Sequence, residues 1–413
     1  MNRDADAVRT AGIQTAGTLA RWRAPCSLAA CALILFARMP DRFLNPQFYA
    51  EDAYFYEKAL LAGIRSLAMP YGGYLLSIPR LVAWAAVRLP PLRVPLFFNL
   101  AALLVALLAI GRIFSARTRL PMKPVLALSV VLLPHAEDLF MTLENIQWVA
   151  SLGLVLMLVS SDAAGPRQRA IDTATIALCG LTGVFSILLA PLFMIRAALR
   201  RTFDSGLAAG LVLAVALVQA WFVMHGGGPI AVSDPAPFDF SLVPAIFGYR
   251  LIAQPFGGTA LIRLPPFALG FAGLLALAAL AGMALNPRLD AADRRAKELL
   301  CAVVVPVAAA AFYRFRDMLP MFLSPEPLAR YFFVPQIVFV WLLAAEFASG
   351  GARRVLSIAA LSAYLITCAC FFRVQPLVDY RWKDYAPLIR SGQHYEIPVN
   401  PPGWHFRYSG EGM

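Results

Sequence analysis

The chain is punctuated by apolar runs whose length suits helices that cross a bilayer. The windows 94–113, 206–224 and 267–285 come closest to the roughly 20 apolar residues that span a hydrocarbon core. Similar stretches recur along the whole chain, so no large soluble domain fits between them. The pattern predicts an all-α, polytopic helical membrane protein of about eleven spanning helices, with interfacial helices in its first outer loop. A retained first helix is expected at 26–39. Two half-length helices are expected at 171–181 and 187–199, broken at Gly183-Val184-Phe185-Ser186. Helices broken at membrane depth usually line a cavity, because their free backbone groups need partners.

The stretch 74–87 tests this count. It is short, and Pro79, Arg80 and Arg88 interrupt or flank it. If it crossed, Glu137 and Glu144 would fall on the side where the arginines gather. It is therefore expected to lie flat on the outer surface.

Composition agrees with the pattern. Hydrophobic residues make up 60% of the chain and charged residues only 15%, against about 25% charge in a soluble domain. The net charge of +12 would suggest nucleic acid in a soluble protein. Here the basic residues sit in short loops: the leader, 112–123, 167–169, 196–201, 288–297 and 353–354. That arrangement orients a membrane protein and predicts no nucleic-acid partner. The intervening segments would face outward: 40–91, 134–145, 225–265, 314–330 and the tail after Phe372. The organisation is then a cytoplasmic leader (1–23), a membrane domain (24–372) and an external aromatic-rich tail (373–413). The expected location is a bacterial inner membrane, with the N-terminus cytoplasmic and the C-terminus periplasmic. The leader contains Asp4 and Asp6 and no small-x-small cleavage site follows, so it does not read as a secretory signal. The six cysteines lie in apolar segments and read as small apolar residues. No internal repeat, Walker loop, zinc signature or dinucleotide fingerprint is present.

The candidate chemistry gathers in the outer segments. Glu51 and Asp52 follow the first helix among aromatics, in Tyr49-Ala50-Glu51-Asp52-Ala53-Tyr54-Phe55. A desolvated carboxylate beside a second acid can serve as a general base toward a hydroxyl. The plainer reading is that the pair caps the helix that follows. A second outer turn offers His135, Glu137, Asp138, Glu144 and Asn145, suited to a metal or to sugar hydroxyls; Glu144 and Asn145 would equally suit a helix start. Arg330-Tyr331 opens a late helix at the outer face, where an arginine can hold a phosphate or serve as an interfacial anchor. The tail is too aromatic for a disordered tether; it packs on its own protein or forms a sugar-stacking lid.

In this order and sidedness the chain resembles the GT-C superfamily of membrane glycosyltransferases, over most of its length. The resemblance rests on the acid pair, the flat helix at 73–87, the second acidic turn, the short helices around 181–191 and Arg330-Tyr331. It is closest to poorly characterised bacterial members with "E-D-x-x-F" and "N-I-Q-W" strings. The large soluble C-terminal domain of some relatives has no counterpart here. The resemblance implies transfer of a sugar from a polyprenyl-phosphate-linked donor to a glycan or lipid acceptor, with membrane lipids around the site. It implies Asp52 as the base, with Glu51 as its partner, and Arg330, Tyr331 and Arg80 at the donor phosphate. A divalent cation occurs in some relatives and not in others. A flippase or transporter, or a non-catalytic scaffold, is the competing reading.

Overall fold

The computed structural model describes residues 22–226, 238–258, 261, 263–286, 290–325, 328–391 and 393–408, with the backbone alone for Glu137 and Arg390. The expected leader therefore lies almost wholly outside the described residues. Six helical stretches are long and apolar enough to cross a membrane: Pro91–Phe114, Phe203–His225, Pro266–Ala284, Ala291–Arg314, Ala329–Ser349 and Gly351–Cys370. The protein is a helical membrane protein. All six cysteines are free.

Shorter helices pack among these. Helix α1 spans 22–38. Next come α2 (Lys123–Leu132) and α3 (Ile146–Val159). Every residue of α3 is buried, which explains why it is apolar on all faces rather than along one stripe. Helix α4 (Phe333–Glu346), the α-helical part of the long stretch Ala329–Ser349, is almost as enclosed, and its Trp341 indole donates to the Leu126 carbonyl of α2 at 3.1 Å.

The two helices expected to be half-length are longer. They run as α5 (Pro166–Gly180) and α6 (Phe185–Arg200). Ion pairs extend them past their apolar cores. Asp172 of α5 meets Arg112 at 2.9 Å and Arg117 at 2.7 Å. Asp162 meets Arg196 and Arg200 of α6 at 2.7 and 2.9 Å. The break between them is where the sequence places it. Gly183 has φ +90°, and a Cβ there would overlap the Gln147 side chain, so only glycine fits.

The segment expected to lie flat contains a ten-residue helix, Ser77–Ala86. At 1.5 Å per residue it is about 15 Å long, half the hydrocarbon thickness. Its start is tied to the α5–α6 break: Ser77 N–H donates to Leu181 O at 3.0 Å, and Gly183 N–H to Leu75 O at 2.9 Å. The segment expected as an outer connection over 225–265 is helical from Leu242, passing into a π-helical stretch, Gly248–Gly257. It packs against Pro266–Ala284 so closely that a Cβ on Gly248 or Gly273 would overlap backbone carbonyls of the facing helix.

The tail packs on the loop that follows α1 rather than hanging free. Strands β1 (Tyr395–Val399) and β2 (Trp404–Tyr408) form an antiparallel hairpin. Asn400 receives the Ala50 N–H on its carbonyl and donates its own N–H to Phe48 O. Phe48 sits among Phe98, Trp382 and Phe406. The Trp382 indole donates to Pro91 O at 3.1 Å. The tail and the acid-pair loop therefore lie at the same end of the bundle.

Candidate functional site

The acid pair enters its helix, Asp52–Ala62, through Ala50, whose φ is +43°. Neither acid caps that helix: Glu51 occupies the N-cap position without a side-chain cap bond. Asp52 turns instead toward the second acidic turn. Its carboxylate accepts the Leu143 N–H at 3.0 and 3.1 Å on its two oxygens, and the Glu144 N–H at 2.8 Å. It is 2% exposed. Glu51 is half-buried and accepts the Tyr71 hydroxyl at 2.6 Å. Its backbone N–H donates to the Glu144 carboxylate at 3.4 Å. Two adjacent acids thus have separate roles. Asp52 clamps one loop to another, while Glu51 keeps an accessible carboxylate beside a tyrosine.

The second turn is held by its own amide. Asn145 Nδ2 donates to Asp138 O at 2.9 Å, and the Thr142 hydroxyl to the same oxygen at 3.1 Å. Asn145 stands at the start of α3 but makes no side-chain cap bond there. Gln147 and Trp148, in the first turn of α3, build the surroundings. Gln147 Nε2 donates to the Tyr74 hydroxyl at 3.2 Å. Trp148 packs edge-on against Phe185 and Tyr331, at 5.2 and 4.9 Å between ring centroids. Its indole N–H is buried without a partner.

Arg330 completes the arrangement from a 3-10 turn, Ala329–Phe332, that leads into α4. Its Nη1 meets Asp138 Oδ2 at 3.1 Å, and its guanidinium lies beside the Tyr331 ring. Both side chains keep partial exposure, 32% for Arg330 and 26% for Asp138. Three segments far apart in sequence, around residues 51, 140 and 330, therefore meet at one end of the bundle.

No family model matches the chain, and no curated protein or solved structure matches it either.

A further residue belongs to this arrangement. Arg42 is 4% exposed, with its Nη1 buried and without a hydrogen-bond partner. Its guanidinium lies over the Tyr49 ring, 4.9 Å from the centroid, and within electrostatic reach of both Asp52 and Asp138. The one sequence cue was its position just after the first helix, ten residues ahead of Asp52.

Other candidates lie elsewhere. His135 has φ +57° and packs its ring on Phe371, 4.4 Å between centroids. Burial pushes it down to about 4, helped by Arg250 and Arg38, so it is neutral at pH 7. Arg80 is fully buried against the Tyr54 and Phe55 rings, and its Nη2 donates to Pro70 O at 3.5 Å. The Glu137 side chain lies outside the described residues. Among the described residues no three His, Cys, Asp or Glu side chains form a metal-ligand group.

The environment of Asp52 carries a pH signature. Burial pushes its carboxyl up to about 8; the Leu143 N–H opposes the shift, Glu51 adds to it and Arg42 opposes it. The ordinary value is about 4. Between these two values the folded state binds a proton that the unfolded state has released. Stability from this group is therefore present below about pH 4 and is lost as pH rises through about 8. The fall in Tm between pH 5 and pH 9 should be steeper for the native protein than for Asp52→Asn, which cannot titrate. Parallel curves from thermal unfolding would place the Asp52 pKa outside this window.

Proposed function

We propose that this protein is a GT-C-type membrane glycosyltransferase, moving a sugar from a polyprenyl-phosphate-linked donor to an acceptor hydroxyl at the outer face of the inner membrane. The observation that carries the reading is the meeting of Glu51-Asp52, the Asp138–Asn145 turn and Arg330 at one end of the bundle. The ion-paired arginines of α5 and α6 lie at the other. In the topology we infer, about eleven helices cross, counting the shorter ones. The N-terminus is then cytoplasmic, and the tail is periplasmic beside the acid pair.

The acceptor hydroxyl attacks the anomeric carbon and the bond from that carbon to the phosphate oxygen breaks. The proton passes to a carboxylate, and the polyprenyl phosphate leaves with the bonding pair. Glu51 is the base we assign, the reverse of the division the resemblance implies, because the Asp52 oxygens are occupied by backbone N–H groups. Arg330 and Arg42 face the phosphate, where negative charge grows in the transition state. Tyr331, half-buried and backed by Trp148, offers a ring on which a sugar can stack.

One observation favours the rival reading of a flippase or transporter. Arg250 is fully buried on the π-helical segment, with its Nε and Nη2 unpartnered, and an intramembrane charge of this kind often marks a transport path. Purified protein incubated with radiolabelled polyprenyl-phosphate sugar and a hydroxyl acceptor separates the two. Label passing to the acceptor supports the transferase. Label that changes leaflet in proteoliposomes without transfer overturns it.

A further inference from the structure

At the end of the bundle opposite the acid site, α6, the start of Phe203–His225 and the start of Ala291–Arg314 line an open cavity of about 360 Å³. The two ends are joined by α3, whose 14 residues separate Asn145 from the cavity by about 21 Å. Arg119, Arg196, Arg200 and Arg295 line this cavity, with Asp162 as its one carboxylate.

That carboxylate is already occupied. Its Oδ1 accepts Arg196 and Arg200, and its Oδ2 accepts the Thr202 hydroxyl at 2.5 Å. It balances one of the four positive charges. Arg119 reaches a second acid, Asp290, at 3.9 Å across exposed surface, a separation worth little in water. Arg295 is exposed and makes no ion pair among the described residues. Arg196 is 3% exposed, and its Nε is buried with no hydrogen-bond partner. A desolvated guanidinium with an orphaned donor is costly unless an anion or water completes it.

The remaining lining mixes Ser161 and Thr202 with apolar side chains, Val159, Leu199 and Leu299 among them. A cluster that served only to orient the chain would need no buried arginine with an unpaired donor beside a cavity.

We propose that this cavity is a phosphoryl-anion site, separate from the acid site and independent of the transfer reaction. Arg196, Arg200 and Arg295 donate to the phosphate oxygens, and the leucines cover the adjoining hydrocarbon. A phospholipid headgroup fits both the charge and the leucines, since the cavity opens beside two helices long and apolar enough to span a membrane. A soluble phosphate shares the same polar chemistry.

The test is thermal unfolding of the purified full chain in detergent, titrated with phosphatidylglycerol, phosphatidylcholine or inorganic phosphate. Phosphatidylglycerol should raise Tm saturably and more than phosphatidylcholine. Arg295→Gln removes an exposed, unpaired side chain, so folding should survive while the apparent Kd rises about tenfold, the size of one charge-assisted hydrogen bond. Arg167→Gln removes the same charge from an exposed position at the same end, outside the cavity, and should leave the Kd unchanged. Saturable stabilisation by inorganic phosphate, weakened by Arg295→Gln, supports the anion site and assigns it to a soluble ligand. Equal responses to the two lipids with none to phosphate, or equal losses in the two variants, overturn it.

Discussion

Glu51→Gln is expected to lower the rate of sugar transfer at saturating donor by about 10²–10⁴-fold, the usual contribution of a general base, while Tm stays close to that of the native protein. The amide keeps the shape of the carboxylate and can still accept the Tyr71 hydroxyl, the one side-chain bond seen at Glu51. What it loses is basicity. Asp52→Asn makes the contrast. Both Asp52 oxygens face backbone N–H groups of Leu143 and Glu144, so an amide nitrogen would set a donor against a donor. That variant should lose about 1–3 kcal/mol of stability, the cost of an unsatisfied buried group, and lose activity through displacement of the second acidic turn. Single-turnover transfer rates together with thermal unfolding of each variant decide the matter. A fully active Glu51→Gln, with Asp52→Asn folded and inactive, would return the base to Asp52.

Arg330→Ala should reduce transfer by about 10²–10³-fold, comparable to removing one preorganised donor from a developing oxyanion. It also strips Asp138 of its ion-pair partner, so part of any loss of activity would come from instability. Burial already pushes Asp138 above the usual carboxylate range, against the opposing pull of Arg330. The double variant Arg330→Ala/Asp138→Asn removes the stranded charge. It should recover stability without recovering rate. Arg330→Lys keeps the charge but loses the planar fork, and should fall between native and alanine in rate. Recovery of the rate in the double variant would show that Arg330 serves only to pair with Asp138.

The long helices were legible because a bilayer imposes a length. Phe203–His225 and Pro266–Ala284 coincide with apolar windows, since no backbone group can be left unpaired in hydrocarbon. The ends of α5 and α6 were not legible by the same logic. Their polar turns read as loop, and the ion pairs of Asp172 with Arg112 and Arg117, and of Asp162 with Arg196 and Arg200, accompany the longer helices seen. The break at Gly183 was visible as a local signal; its cause, the Gln147 side chain filling the place of a Cβ, was not.

The candidate site divides in the same way. Sequence alone determined a helical membrane protein and marked Glu51, Asp52, Asp138, Glu144, Asn145 and Arg330 as the acids, amide and arginine worth following. Those facts are local: residue type, apolar run length and the sidedness of charge. Only the tertiary structure brought Asp52 to the Leu143 and Glu144 N–H groups, set Arg330 against Asp138, buried Arg42 over the Tyr49 ring and packed His135 on Phe371 and Arg80 on Tyr54 and Phe55. It also laid Asn400 of the tail beside Ala50, at the entry to the acid pair. The pairings of Asp52 with Leu143, Arg330 with Asp138 and Ala50 with Asn400 join residues 91, 192 and 350 positions apart. A periodicity or a short motif reports the face and length of one element. Which distant element that face meets is set by the packing of the whole bundle.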